Sequence, residues 1–275
     1  MRYTGMMRDS ILACNWKMNP ERRHEAETLY QGLVATSKAL KASEIWIAPP
    51  TPFIDGLRER RILKRLSLGA QDCSRFTMGA HTGEVSAAML KEAGAQFVIV
   101  GHSERRAMGE SDTDVNTKVQ YALKARITVL LCVGEKLRDG DGEYLAVIAS
   151  QVRSALMGVP KSASRRLVIA YEPVWAIGEH AAAPATPEDF RSVSIYIKKV
   201  VSEQVGAGAA LSVPVLYGGS VSKDNAMGFL DEGHADGLLI GRESLKLSAM
   251  KTIIADAEAL GRARVQRSRK HERTR

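Results

Sequence analysis

The sequence predicts an α/β protein folded as one closed (β/α)8 barrel. Three observations carry that prediction. Eight short apolar runs recur along the chain, at residues 11–16, 44–48, 66–70, 96–100, 127–133, 167–170, 213–216 and 236–240. Segments with helical spacing separate them. The polar residues of the runs gather at their carboxyl ends. Apolar runs without alternation read as strands covered on both faces, as in a parallel sheet flanked by helices. Eight such units in 275 residues fit a barrel, with a doubly wound open sheet as the competitor.

The intervening segments support the assignment in order. Residues 21–41 place Ala26, Leu29, Leu33 and Leu40 near one face. Residues 115–124 follow Thr113-Asp114. Residues 144–156 carry Leu145, Ile148, Val152 and Leu156. Residues 190–205 carry Phe190, Val193, Ile197 and Val200, and residues 249–260 close the series. Such spacing signals packing against a core. Thr186-Pro187-Glu188-Asp189 reads as an N-cap, a first-turn proline and a capping-box acid. Gly206-Ala207-Gly208-Ala209 is rejected as a dinucleotide fingerprint, because it ends a helical segment and lacks the last glycine. Asp139-Gly140-Asp141-Gly142 is too short for a calcium loop and reads as a turn.

Hydrophobic residues make up 45% of the chain, enough for a full core. No apolar run reaches membrane-span length, and residues 1–10 lack the apolar stretch of a signal peptide. Cys14, Cys73 and Cys132 are far apart and form no CxxC pair, which points to free thiols in a reducing cytoplasm. The six histidines lack ligand spacing, so no metal is expected. The net charge of +8 is uneven: residues 262–275 hold seven Arg/Lys and one Glu, leaving about +2 on the rest. Residues 1–261 are therefore read as the barrel domain and 262–275 as a disordered basic tail. The tail is either a solvated end or a weak, salt-sensitive hold on RNA or another acidic partner.

In a barrel, the carboxyl ends of the strands face the active site. Those ends are Asn15-Trp16-Lys17, Pro49-Pro50, Gln71-Asp72, Gly101-His102-Ser103, Cys132 with Gly134-Glu135, Glu172, Tyr217-Gly218-Gly219-Ser220 and Gly241-Arg242. A carboxylate at the tip of a buried strand is costly to desolvate, so Glu172 is either paired or functional. Pro173 ends its strand, having no N–H for the ladder. Glycine loops after the last two strands suit an anion, since backbone N–H groups can approach it closely. Lys17 can neutralise that anion or a developing enolate. His102 opens a helix, where a charged imidazole is disfavoured and a neutral one can donate to a carbonyl oxygen. A carboxylate base, a neutral donor and an anion site together suggest proton abstraction next to a carbonyl, without metal or organic cofactor.

Four motifs then resemble a known family. Asn15-Trp16-Lys17-Met18-Asn19, the run from Val100 through Gly101-His102-Ser103-Glu104-Arg105-Arg106, the run from Tyr171-Glu172-Pro173 to Gly178, and Tyr217-Gly218-Gly219-Ser220-Val221 are similar to triosephosphate isomerases, in the same order. The resemblance implies a TIM barrel interconverting dihydroxyacetone phosphate and D-glyceraldehyde 3-phosphate in glycolysis and gluconeogenesis. It implies Glu172 as base, His102 as neutral electrophile, and Lys17 and Asn15 as substrate contacts, roles on which enzymologists already rely as a worked case of acid–base assignment. It implies phosphate binding by the N–H groups of Gly178, Ser220, Gly241 and Arg242, with Glu104 orienting the polar network and Cys132 packing. It also implies a homodimer through residues 73–83, with Thr82 reaching the neighbouring site.

Three departures stand out. Residues 177–185 run about two longer than the family's usual lid and lack its Gly-Lys-Thr hinge. Arg242 replaces the second glycine of the last phosphate loop, and Asp72 stands where the family often has Asn. They motivate two alternatives: a related barrel acting on four-carbon tetrulose phosphates such as erythrulose phosphate, and a non-catalytic barrel that binds an acidic partner through its tail.

Overall fold

A computed structural model describes residues 9–58, 63–177 and 183–273, with side chains through Arg267. Eight parallel strands close in sequence order into a barrel. They are β1 (Ser10–Asn15), β2 (Ser43–Ala48), β3 (Leu66–Ala70), β4 (Phe97–Val100), β5 (Thr128–Val133), β6 (Leu167–Tyr171), β7 (Val215–Tyr217) and β8 (Gly237–Ile240). The ring closes where Ile11 of β1 faces Gly237 of β8. Around it, among the described residues, lie α1 (Arg23–Ser37), α2 (Ile54–Leu57), α3 (Ala87–Glu92), α4 (Ser103–Ala107), α5 (Asp112–Lys124), α6 (Glu143–Leu156), α7 (Pro187–Val205), α8 (Ala207–Ala210), α9 (Ala226–Asp231) and α10 (Leu247–Arg273).

Two buried layers follow from strand parity. Side chains two apart share a face. Ile11 and Ala13, Phe97 and Ile99, Leu130 and Cys132, and Val168 and Ala170 all join the cluster inside the barrel. The alternate positions, among them Leu12, Val98, Leu131 and Ile169, pack outward against the helices. Each fully buried Leu, Ile or Phe contributes about 1.5–3 kcal/mol. Two glycines make the interior fit. A Cβ at Gly69 would lie 2.4 Å from the Phe97 ring, and one at Gly237 would lie 2.0 Å from the Ile11 carbonyl. Phe97 thereby reaches across to Trp46, with ring centroids 4.8 Å apart.

Helix starts follow local chemistry. Thr186 and Asp189 form the expected capping box of α7, with Pro187 in its first turn. Ser111 caps α5, with Asp114 as its box acid. The Asp139–Gly142 turn has a capping role: the Asp139 carboxylate accepts from the N–H groups of Glu143 and Tyr144, both at 2.8 Å.

The basic segment departs from expectation. Residues 262–273 are not a disordered tail but continue α10 as helix to Arg273. Polar bonds replace the apolar periodicity that the segment lacks. Arg262 donates to Glu258 at 2.7 Å, and Arg264 donates to the Leu230 carbonyl at 2.6 Å. Glu258 is itself fixed by the N–H groups of Lys41 and Ala42. Such bonds leave no hydropathy signature.

Candidate active site

Parity also builds the mouth of the barrel. Val168 and Ala170 point inward, so Glu172, two further on, projects into the opening just past β6. Its N–H donates to Val133 at 2.8 Å, carrying the β5–β6 ladder one residue beyond the strand. Glycines at neighbouring strand ends leave room for it. A Cβ at Gly218 would come within 3.1 Å of the Glu172 side chain, and one at Gly134 within 1.8 Å of the Glu172 carbonyl.

Glu172 is 2% exposed. Oε2 accepts from the Ser103 N–H at 2.8 Å, and Oε1 lies 3.0 Å from His102 Nε2. Burial pushes its pKa up; His102, the Ser103 N–H and Lys17 pull it partly back. A carboxylate so placed is a stronger base than one in water.

His102 caps α4. Its Nδ1 accepts from the Glu104 N–H at 3.2 Å, so the bonding pattern assigns the ring proton to Nε2. In that pattern Nε2 faces the Glu172 carboxylate.

Lys17 sits on a left-handed backbone, φ 53°, a conformation that costs a non-glycine residue about 1–3 kcal/mol. Two neighbours hold it there. Its N–H donates to Asn15 Oδ1 at 3.0 Å, and its carbonyl accepts from Gln71 at 2.7 Å. Gln71 also holds the Ala48 carbonyl at 2.9 Å, so it staples the ends of β1, β2 and β3. Lys17 Nζ donates to Glu104 at 2.5 Å. Both side chains are partly exposed, at 35% and 56%, so the pair is worth at most about 1 kcal/mol. Gly241 brings the last loop alongside: a Cβ there would lie 3.6 Å from Lys17 Cε.

Ser220, Gly241 and Arg242 occupy the turns after β7 and β8. Their N–H groups have no acceptor among the described residues. Asn225 shapes the first turn by donating to the Ser220 carbonyl at 2.8 Å. Gly178 lies outside the described residues, as does most of residues 177–185. Cys132 is buried inside the barrel with its thiol pushed well above the ordinary range by burial, as packing requires. Asp72 has a charge partner: Lys118 binds both its oxygens at 2.8 Å and Arg105 lies at 2.7 Å. Burial raises its pKa against the pull of those cations.

Sequence reasoning placed three further residues at strand ends without saying what they do. The Ser103 donor is a backbone N–H and leaves no residue signal. Gln71 was visible at a strand end, but its staple depends on the β1–β3 register. Glu135, at the end of β5, accepts from Tyr171 and Trp175, both at 2.8 Å; an acid two residues beyond a buried strand was the available clue.

A buried carboxylate facing an imidazole at the carboxyl end of a closed barrel is an arrangement suited to proton transfer. Comparison with known proteins narrows the class. The family model described as triosephosphate isomerase matches residues 10–257. Triosephosphate isomerase of Caldanaerobacter subterraneus subsp. tengcongensis is 42% identical over 243 residues, covering 87% of this chain and 96% of that protein. Those of Dehalococcoides mccartyi and Roseiflexus sp. are 40% and 39% identical, covering 92% and 90% of this chain and 98% and 97% of theirs. The chain belongs to the triosephosphate isomerase family, and it is an isomerase.

Proposed function

We propose that the barrel interconverts dihydroxyacetone phosphate and D-glyceraldehyde 3-phosphate through an enediol(ate). Glu172 takes a proton from the hydroxymethyl carbon next to the carbonyl and returns it to the carbonyl carbon, while the hydroxyl proton passes from one oxygen to the other by way of His102 Nε2. His102 Nε2–H donates to the carbonyl oxygen, replacing its 3.0 Å contact with Glu172. Lys17 exchanges Glu104 for the substrate anion, and Asn15 keeps Lys17 in place. The N–H groups of Ser220, Gly241 and Arg242, joined by Gly178, hold the phosphate. One observation carries the reading: the carboxylate and the uncharged donor meet at the mouth within 3.0 Å.

The assembly we propose is a homodimer through residues 73–83. Support comes from the loop's order and exposure. Arg75 binds Asp114 at 2.6 Å and lies over Phe76, Phe76 stacks on His81, and Met78 at the tip is 82% exposed. A cytoplasmic location fits three buried free thiols. Among the described residues no helix is long and apolar enough to cross a membrane.

The deciding experiment assays purified protein with dihydroxyacetone phosphate and with erythrulose phosphate. A higher kcat/KM on the three-carbon substrate is expected. A rate hundreds-fold higher on the four-carbon one would replace this reading with the tetrulose-phosphate alternative.

A further inference from the structure

Arg138 lies in the loop after β5 and touches no residue that we place against substrate. Yet its guanidinium joins both arms of the connection between β6 and α7. On the leading arm it lies over the Trp175 ring, 5.3 Å from the centroid, three residues past Glu172. On the trailing arm its Nη2 is 3.1 Å from Asp189 Oδ1. Tyr144, at the start of α6, supports it from behind, with the cation 4.7 Å from that ring centroid.

Both anchors are set by other bonds. Trp175 donates its indole N–H to Glu135, and the Val174 N–H donates to the Glu135 carbonyl at 3.1 Å. Asp189 divides its oxygens: Oδ2 takes the Thr186 N–H and hydroxyl in the capping box, leaving Oδ1 for Arg138. Arg138 thus bridges a segment covalently close to Glu172 and the first turn of α7. Its side chain is 23% exposed, so a planar cation partly shielded from water fills the gap between an indole face and a carboxylate.

We propose that Arg138 is a positioning residue for the reaction: it fixes the two arms of the β6–α7 connection relative to each other and so sets the placement of Glu172. The inference rests on the isomerase reading above. An arginine suits the role better than a lysine, because only the guanidinium can lie flat on Trp175 while keeping an N–H directed at Asp189.

The test compares the parent enzyme, Arg138→Met and Arg138→Lys for kcat and KM on dihydroxyacetone phosphate, for Tm, and for Trp175 emission read in a Trp16→Phe, Trp46→Phe background. Parent activity establishes the reaction itself; its absence would overturn the isomerase reading and this inference with it. With an active parent, we expect Arg138→Met to lower kcat/KM five- to fifty-fold, chiefly through kcat, with a changed Trp175 emission and a Tm within a few degrees. Arg138→Lys should recover only part of the loss. Kinetics within 1.5-fold of the parent, or a loss of Tm with unchanged kcat/KM in the folded fraction, would overturn the assignment. Should the double tryptophan variant fail to fold, acrylamide quenching of the single-site Arg138 variants supplies the second readout, and unchanged quenching would count against it equally.

Discussion

Shortening the proposed base tests the site most directly. Glu172→Asp keeps the charge but draws the carboxylate back by about one carbon–carbon bond, ~1.5 Å. The Ser103 N–H at 2.8 Å and His102 Nε2 at 3.0 Å would then lie beyond the roughly 3.2 Å limit of a useful hydrogen bond. A misplacement of about 1 Å in a reacting group costs on the order of 100-fold. General-base catalysis is worth about 100- to 10,000-fold in all. The expected loss in kcat/KM is therefore about 100- to 1,000-fold, or ~3–4 kcal/mol of transition-state stabilisation. It should fall mainly on kcat, because the substrate's anion is held elsewhere. A coupled dehydrogenase assay on the three-carbon ketose reads it, with circular dichroism to confirm an intact fold. A well-folded variant within twofold of the parent would refute the assignment of Glu172 as base.

The remaining predictions concern charge, burial and thiol reactivity. The acid limb of kcat/KM should lie above the ordinary glutamate pKa of about 4.3, because burial raises Glu172 and activity fails as it gains a proton; a midpoint at or below that value would contradict the burial argument. The same raised pKa means that ionised Glu172 opposes folding above it and not below the unfolded value. Glu172→Gln should therefore raise Tm at neutral pH, with the gain vanishing near pH 4. Lys17→Met should cut kcat/KM by more than 100-fold and leave Glu104 without its cation; substrate protection against heat equal to the parent's would exclude Lys17 as the anion contact. Lys118→Met leaves Arg105 as the remaining cation beside Asp72 and the nearly buried Glu110, costing up to about 3 kcal/mol and on the order of 5–10 °C in Tm by thermal denaturation; an unchanged Tm would contradict it. Finally, burial pushes Cys14 and Cys73 up to about 12 and Cys132 well above its ordinary value, so Ellman's reagent at pH 8 should find almost no reactive thiol until denaturant is added.

How much of this could be read from the letters depends on the range of each interaction. The strands were legible because a two-sided burial pattern is written residue by residue: the run at 66–70 coincides with β3, and that at 167–170 with all but the last residue of β6. The α7 capping box was legible because its bonds span four consecutive residues. Glu172 and His102 were legible as strand-end residues, yet their 3.0 Å meeting depends on β4 and β6 flanking β5 in a closed ring. The helical course of residues 262–273 was not legible because no apolar periodicity marks it and part of its support, Leu230 for Arg264, lies 34 positions away. The Lys118–Asp72 pair has the same character, joining α5 to the end of β3 across 46 positions.

The inward–outward alternation of β6 has an evolutionary consequence. Insertion of one residue within β6 would turn Glu172 toward the helical shell and swing Tyr171 into the mouth, whereas added residues between Pro173 and Thr186 change no side-chain facing. Length variation is thus confined by geometry to the connection beyond the strand. Length changes in that interval leave the orientation of Glu172 untouched.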